Sequence, residues 1–318
     1  MAFVATLVVR RIVLSRRAHR RQAVEQRLRD QAFALLGDGA PPPAGLSHAE
    51  ERVFAGLVAR LAHQLRGEAR AHAAAYADEH GFVDAALADL RSRRHWRRAT
   101  AAYRLGEMSV FRAVPELRAA LDDPTPEVRG AAAGALGKLG SAEAVADIVT
   151  ALAHRKVPPL VGAGALLGIG SAGLPQLLSL TGSDDPELRA RAVELVGLLG
   201  TRTEAPAVVE KLRDASGMVR ARAAIALGRL GAEEGADALC RTLDDRLPYV
   251  RASAAQALGA VGDPKTVPRL LQLAAEDAYE PAHAAAVAAA RLDPEQAARA
   301  AEELGGPHLR EAVAEAAL

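Results

Sequence analysis

The sequence predicts an all-α fold, a solenoid of about seven stacked helix hairpins with capping helices at both ends. Its main support is a repeat in which an apolar residue followed by glycine recurs at spacings of 30 or 31 residues. Aromatic residues make up only 3% of the 318 residues, which favours long helices with small side chains over aromatic-rich sheets. The end markers of the repeat are Leu139-Gly140, Ile169-Gly170, Leu199-Gly200, Leu230-Gly231 and Val261-Gly262.

Each repeat unit predicts two helices. The first carries apolar residues at i, i+4, i+8 and i+11, and the glycine of the end marker fits a left-handed cap at its end. The second carries a stripe such as Val145, Ile148 and Leu152, and an Asp/Pro turn of the type DDPTP separates the units. Such a hairpin cannot bury its apolar face alone, so neighbouring hairpins are expected to stack.

A second glycine stands three residues before the end marker in most units. Glycine inside a helix costs about 1 kcal/mol relative to alanine, so we expect a neighbouring helix to approach closely there. The unit that ends at Gly170 departs from the pattern, with Pro159 in place of an arginine and Leu167 in place of the glycine. We expect this irregularity either to bend the stack or to mark a binding surface. The recurring glycines are Gly106, Gly137, Gly197, Gly228 and Gly259.

The stretch AVPELRAALDDPTPEVRGAAAGALGKLG, from Ala113 to Gly140, resembles the consensus of the HEAT-repeat family, in particular its short phycobilisome-lyase-like repeats. The resemblance covers about residues 94–293. It implies a right-handed α-solenoid of HEAT-like hairpins. It also implies a scaffold that has been reused for many partners, so it carries little information about one function.

Arginine recurs eleven residues before the end of five units, and aspartate stands six residues before three of these arginines. Two interpretations fit this pattern: a ladder of arginines that binds anions or nucleic acid, or an Asp–Arg ladder that ties adjacent hairpins together, as in similar HEAT repeats. The fixed position within the repeat favours the structural ladder. Its members are Arg98, Arg129, Arg189, Arg220 and Arg251, with Asp123, Asp214 and Asp245.

The two ends of the chain differ in character from the repeats. Ser47 and Glu50 have capping-box spacing, which predicts a long helix after residue 47. The stretch GDGAPPPAG before it is a Pro-rich linker. The predicted organisation is a basic N-terminal helix (1–36), a linker (37–46), N-terminal cap helices (47–93), the repeat solenoid (94–293) and a C-terminal cap (294–318).

The first 30 residues carry eight arginines against Glu25 and Asp30, a net charge of +6 in a chain whose total is +1. The apolar start MAFVATLVV is shorter than the ~20 residues that a membrane-spanning helix needs. Three interpretations remain open: the cytoplasmic end of a membrane anchor, a basic amphipathic helix on an anionic membrane surface, and a solvated helix. We expect a cytoplasmic protein at the membrane face. The membrane-proximal residues would be Arg10, Arg11, Arg16, Arg17, Arg20 and Arg21.

The sequence offers no catalytic constellation. None of the nine histidines is followed by glutamate, the dipeptide through which enzymes similar to deoxyhypusine hydroxylase bind iron. The single cysteine, Cys240, cannot form an internal disulfide and lies on an apolar helical stripe. We therefore predict a non-enzyme with no catalytic residue, metal or cofactor. An accessory subunit or enzyme of the bilin-lyase or oxidoreductase-like HEAT type is the alternative.

Candidate partner-binding residues lie in two places. The second helices offer a mixed set of charges, and the segment RSRRHWRRATAAYR combines arginines with Trp96 and Tyr103. A duplex-binding groove would need basic residues over many repeats, so a protein partner is favoured, and a nucleic-acid-binding HEAT protein is the second alternative. Acidic lipid headgroups are a further expected contact of this segment. The candidates are Glu116, Asp147, Glu210, Arg241, Arg269, Arg94 and Trp96.

Overall fold

The computed structural model describes residues 15, 19, 22–63, 67–304 and 307–316. Within these residues all regular structure is helical and no strand occurs, which confirms the all-α solenoid class. The predicted membrane-proximal arginines, Arg10, Arg11, Arg16, Arg17, Arg20 and Arg21, lie outside the described residues.

Four helices precede the repeats: α1 (Arg29–Asp38), α2 (His48–His63), α3 (Glu68–Glu79) and α4 (Phe82–Leu90). The first helices of seven hairpins follow as α5 (His95–Glu107), α7 (Pro126–Leu139), α9 (Pro159–Ile169), α11 (Pro186–Leu199), α13 (Gly217–Leu230), α15 (Pro248–Val261) and α17 (Tyr279–Leu292). Their second helices are α6 (Val114–Ala119), α8 (Val145–Ala153), α10 (Leu174–Leu180), α12 (Ala205–Lys211), α14 (Ala236–Thr242), α16 (Val267–Glu276) and α18 (Pro294–Leu304), and α19 (Pro307–Ala316) ends the described chain.

The chain divides into two compact units. Unit 1 extends to Ser141 and includes Lys156–Gly168, and unit 2 comprises Ala142–Arg155 and Ile169–Leu318. The division falls inside the predicted solenoid of residues 94–293 rather than at a predicted boundary. Each unit has its own core, built from the buried apolar stripes of its helices.

The N-terminal helices of unit 1 form a small core of their own. Leu28, Ala32, Leu35 and Leu36 are buried against α2 and α3, where Phe54 meets Tyr76 edge to face at 5.5 Å. The prediction of a separate basic helix over residues 1–36 is therefore wrong for its last third. These four residues repeat at i, i+4, i+7 and i+8, so the segment presents an apolar stripe despite its flanking arginines.

The capping box at the start of α2 is present, because the Glu50 carboxylate accepts bonds from the Ser47 amide (3.0 Å) and hydroxyl (2.7 Å). Together with the nearby Arg27 guanidinium, these two donors lower the pKa of Glu50 to about 2, with the Ser47 amide as the largest cause. The predicted single long helix after residue 47 is wrong. It is divided into α2 and α3, and Gly67 before α3 has a positive φ of 67°, which is not helical.

The recurring mid-helix glycines lie where helices approach each other, which confirms the expectation from the sequence. A Cβ on Gly197 would lie 2.6 Å from the Cα of Ala226, and one on Gly106 would lie 2.7 Å from the Cα of Ala135. The irregular unit has the exposed Leu167 at the equivalent position. Its Gly168 lies against the Gly137 carbonyl of the preceding first helix.

Most end-marker glycines form the predicted left-handed cap, as at Gly140 (φ 68°) and Gly231 (φ 61°). The prediction is wrong for Gly200, whose φ is −82° and ψ 180°. The reason lies in the next residue, because Thr201 forms a capping box with Glu204 and draws the chain into an extended conformation there.

One described stretch, Pro159–Leu180, is long and apolar enough to cross a membrane by length and composition alone. Gly170, with a φ of 67°, interrupts it, so that α9 and α10 are separate helices of the repeat. Core residues of these helices, including Leu166 and Leu177, account for part of this apolar composition, whereas Leu160 and Leu167 are exposed.

Candidate interaction surfaces

The recurring arginines and aspartates form bidentate ion pairs between successive repeats. In unit 2, Arg189 donates from Nε and Nη2 to both carboxylate oxygens of Asp214 at 2.8 Å, and Arg220 donates in the same way to Asp245 at 2.6 and 2.9 Å. In unit 1, Arg98 binds Asp123 with the same geometry. Each arginine therefore pairs with the aspartate 25 residues later, a geometry that fits the planar guanidinium fork.

Both partners of each pair make further bonds. The Nη1 atom of Arg220 donates to the carbonyl of Asp214, six residues earlier, at 2.9 Å. The carboxylate of Asp245 also accepts from the amide of Leu247, at the start of α15, at 2.9 Å. One arginine thus links two inter-repeat turns, and the aspartate also closes the turn that precedes the next helix.

The pairing favours the charged forms of the arginines and aspartates in the ladder. The Arg189 guanidinium lowers the pKa of the Asp214 carboxyl, and the Arg98 guanidinium lowers that of Asp123. The hydrogen bonds that Arg220 donates to Asp245 raise the pKa of Arg220 in turn. Since the paired side chains are only 10–16% exposed, these arginines are committed to the repeat and are poorly placed to bind a solvent-borne anion.

The ladder has one further member and one interruption. Asp277 has no arginine six residues after it and therefore falls outside the sequence pattern, but its carboxylate accepts from Arg251, 26 residues earlier. Arg129 has no carboxylate at the equivalent place, since position 154 is a histidine. Its Nε donates instead to the carbonyl of Lys156, at 2.6 Å, within unit 1.

In unit 2, the second helices α12 and α14 line a groove of about 350 Å³. It brings together two of the predicted partner-binding residues, the exposed Glu210 and Arg241. Arg269, a third, contacts the groove residue Asp244 through an ion pair. We call this the α12–α14 groove, lined by Val209, Glu210, Leu212, Arg213, Ala238, Arg241, Thr242, Asp244 and Asp245.

Sequence reasoning missed Arg213 and Asp244 as lining residues of this groove. A signal was present, because two inter-repeat turns carry paired aspartates of which only the second enters the ladder. The first stays exposed: Asp244 pairs with Arg269, and its counterpart Asp122 pairs with Lys156 at 2.5 Å. The groove is therefore lined by acidic and basic side chains together with apolar ones.

The other predicted partner-binding residues lie elsewhere. Glu116, on α6 of unit 1, is partly buried, and its Oε2 has no hydrogen-bond partner in the described structure. Asp147, on α8 of unit 2, is partly buried and does not line the groove. Arg94 and Trp96 are exposed at the start of α5 in unit 1.

The basic segment around α5 is less available than its composition suggests. Arg98 belongs to the ladder, and Arg112 binds the carboxylates of Asp78 and Asp84 at 2.5 and 2.8 Å. The Arg97 guanidinium lies over the Trp96 ring, 5.4 Å from its centroid. The remaining arginines of the segment and both of its aromatic rings are exposed.

Among the described residues, no group of three or more His, Cys, Asp or Glu side chains is placed to hold a metal ion. Cys240 is half-buried on α14, and burial raises the pKa of its thiol. A raised pKa disfavours the thiolate, which is the reactive form.

Comparison with known proteins identifies the repeats. The profile of a family described as HEAT repeats matches residues 83–170, 174–246 and 205–291. No curated protein matches the sequence.

Several solved structures are similar in fold. A chain of the Kap95p complex with RanGDP aligns with 89% of this chain and 51% of its own, at 12% identity and a TM-score of 0.51. Human deoxyhypusine hydroxylase aligns with 86% of this chain and 98% of its own, at 22% identity and a TM-score of 0.34. The CpcE–CpcF complex of phycocyanin lyase from Nostoc sp. PCC7120 aligns with 46% of this chain and 96% of its own, at 18% identity and a TM-score of 0.41.

At these identities the likeness concerns the fold alone. The family match, in contrast, covers more than half of the chain and the same residues in which the ladder and the glycine contacts recur. The chain belongs to the HEAT-repeat family.

Proposed function

We propose that this protein is a non-catalytic adaptor that binds a protein partner through the α12–α14 groove. The observation that carries the proposal is the composition of this groove, which combines Glu210, Arg213, Arg241 and Asp244 with the apolar side chains of Val209 and Leu212. A lining with both signs of charge and apolar side chains suits a polypeptide, which offers the same mixture.

The ladder supports a protein partner over a nucleic acid. A polyanion requires a row of available cations, and nearly every recurring arginine of this chain is occupied by an aspartate. The lining of the groove contains more carboxylates than arginines, with Glu210, Asp244 and Asp245 against Arg213 and Arg241. A nucleic-acid ligand would therefore meet repulsion along much of this surface.

Affinity purification of the full chain from its own cells, followed by mass spectrometry, tests this proposal. The critical variant is Arg241→Glu, and its matched control is Arg229→Glu, which makes the same charge change at an exposed residue outside the groove. We expect a stoichiometric protein that is lost with the first variant and retained with the second. Retention by both, or recovery of metal, pigment or nucleic acid in its place, would overturn the proposal.

We also propose that the arginine-rich N-terminal segment holds the protein at the cytoplasmic face of a membrane. The support is the sequence pattern, a short apolar stretch followed by Arg10, Arg11 and further arginines. Because Leu28–Leu36 belong to the core, the shortened chain for this test should begin at Gln22. We expect only the full chain to float with vesicles of phosphatidylglycerol and phosphatidylcholine, and equal flotation of both chains would contradict the proposal.

A further inference from the structure

Two of the three carboxylates that line the α12–α14 groove are already paired within the chain. Asp245 belongs to the ladder, where both of its carboxylate oxygens accept bonds from Arg220. Asp244 accepts a bond from the guanidinium of Arg269, which lies on the next second helix, α16. Arginines of the chain itself therefore neutralise both aspartates of the groove.

The two arginines that line the groove have no such partners. Arg213 lies just after the end of α12, Arg241 lies on α14, and both side chains are exposed. Within the described residues, neither guanidinium forms an ion pair or a side-chain hydrogen bond. A guanidinium binds a carboxylate through two parallel hydrogen bonds, so the groove holds two such donor groups that the chain does not use.

The third carboxylate of the groove, Glu210, is exposed on α12 and has no ion-pair partner among the described residues. The charge that remains available to a ligand is therefore two arginines and one glutamate. The groove attracts acidic groups, although its lining contains more carboxylates than arginines. A long row of phosphates would still meet the negative charge of Glu210.

The groove also offers apolar contact. Leu212 is buried, and Val209 and Ala238 are half-buried in the lining. The volume of about 350 Å³ is typical of the smaller ligand-binding clefts of proteins. Such a groove accommodates a few side chains of a short segment rather than the face of a long helix.

We propose that the α12–α14 groove binds a short acidic segment of the partner protein, which presents carboxylates together with an apolar side chain. The carboxylates bind the guanidinium groups of Arg213 and Arg241, and the apolar side chain packs on Val209 and Leu212. Glu210 disfavours a uniformly charged polyanion in the same groove. This inference rests on the protein-binding function proposed above, and it adds the chemistry of the segment that the groove recognises.

Peptide selection on the full chain tests this chemistry. Displayed peptides of random sequence are selected on the immobilised protein, and the affinity of each enriched peptide is then measured by fluorescence anisotropy. We expect enrichment of glutamate and aspartate beside apolar residues. Because the contacting arginines are exposed, the affinity should also fall as the salt concentration rises.

Charge changes in the groove separate recognition from folding. Arg213→Glu and Arg241→Glu should each weaken binding of a selected peptide about tenfold or more. The matched control Arg229→Glu, outside the groove, should change the affinity less than about twofold. Glu210→Gln removes the unpaired negative charge and should strengthen binding about threefold, a gain that partial unfolding cannot produce.

A charge exchange between peptide and protein tests for direct contact. Each acidic residue of a selected peptide is replaced in turn by lysine, which should weaken binding to the unaltered chain. At least one of these lysine peptides should bind the Arg241→Glu chain more tightly than the unaltered chain, because the exchange restores an ion pair of opposite orientation. The absence of any such peptide would contradict a direct contact with Arg241.

Enrichment of neutral or basic peptides, no enrichment at all, or binding that Arg213→Glu and Arg241→Glu leave unchanged would overturn the acidic segment. If Arg241→Glu still abolished capture of the cellular partner in such a case, the groove would bind a protein of different chemistry. If the partner were also retained by that variant, both proposals would fail. A dimer of the full chain that Arg241→Glu dissociates would assign the groove to a second copy instead.

Discussion

Arg220 and Asp245 are joined by two parallel hydrogen bonds of 2.6 and 2.9 Å, across the 25 residues that separate one repeat from the next. Both side chains are about 90% buried. The same pairing recurs at three other places in the described chain, so one local rule of the sequence links neighbouring hairpins at four points.

Breaking one rung should cost far more than breaking an exposed pair. Asp245→Ala leaves the guanidinium of Arg220 buried without its carboxylate, and we expect the free energy of unfolding to fall by about 3 kcal/mol. Glu233→Ala is the matched control, because Glu233 and its partner Arg202 are 66% and 62% exposed, and it should cost less than about 1 kcal/mol. Urea unfolding measures the free energy of unfolding of the two variants. Equal decreases would show that a rung of the ladder contributes no more than an exposed ion pair.

The Asp–Arg ladder also predicts how the free energy of unfolding depends on pH. The pKa of Asp123 and of Asp214 is lowered in the folded protein, mainly by the bonds from Arg98 and Arg189. Their stabilisation is therefore fully present above the ordinary carboxyl pKa of about 3.9, and it is lost as the pH falls below that value toward the folded pKa. Unfolding free energies measured from pH 6 downward should fall less steeply in Asp214→Asn than in the unaltered chain. The exposed control Asp237→Asn should retain the full slope.

Glycine substitutions separate close helix contact from helix propensity. Alanine at Gly197 places a Cβ 2.6 Å from the Cα of Ala226, so the two helices must move apart, with an expected loss of about 1–3 kcal/mol. Alanine at Gly134 meets nothing within 4 Å and should raise stability by about 1 kcal/mol. Chemical denaturation measures the change in the free energy of unfolding for each variant. Two changes of the same sign would contradict the close helix contact at Gly197.

The capping box makes a spectroscopic prediction. Glu50 has a pKa of about 2 because the amide and hydroxyl of Ser47 and the guanidinium of Arg27 all stabilise its carboxylate. Ser47→Ala removes the hydroxyl but keeps the amide, so the pKa should rise only part of the way to its ordinary value. A carbon-detected NMR titration of the Glu50 carboxyl measures this, and an unchanged pKa would contradict the assigned contacts.

The repeat could be predicted from sequence because its determinants are local and periodic. The residues equivalent to Gly197 and Arg220 recur at fixed positions of the repeat. Contacts with the neighbouring repeat are enough to explain why a glycine or an arginine stands there. The buried stripe from Leu28 to Leu36 was obscured because the arginines around it dominated the composition. The conformation of Gly200 depends on Thr201, one residue beyond the repeat pattern.

The candidate surfaces were less accessible to sequence reasoning. Glu210 and Arg241 stood out as charges on second helices, but that they share a groove depends on how α12 and α14 stack. Leu160 and Leu167 have the same composition as core leucines, and only their exposure distinguishes them.

The most direct test of the adaptor function is site-specific photo-crosslinking in the cells that make the protein. A photoreactive residue in place of Arg241 lies in the α12–α14 groove, and one in place of the exposed Arg229 lies outside it. We predict that a single protein is captured at position 241 and not at position 229. Equal capture at both positions, or capture of nucleic acid at position 241, would contradict a protein-binding groove.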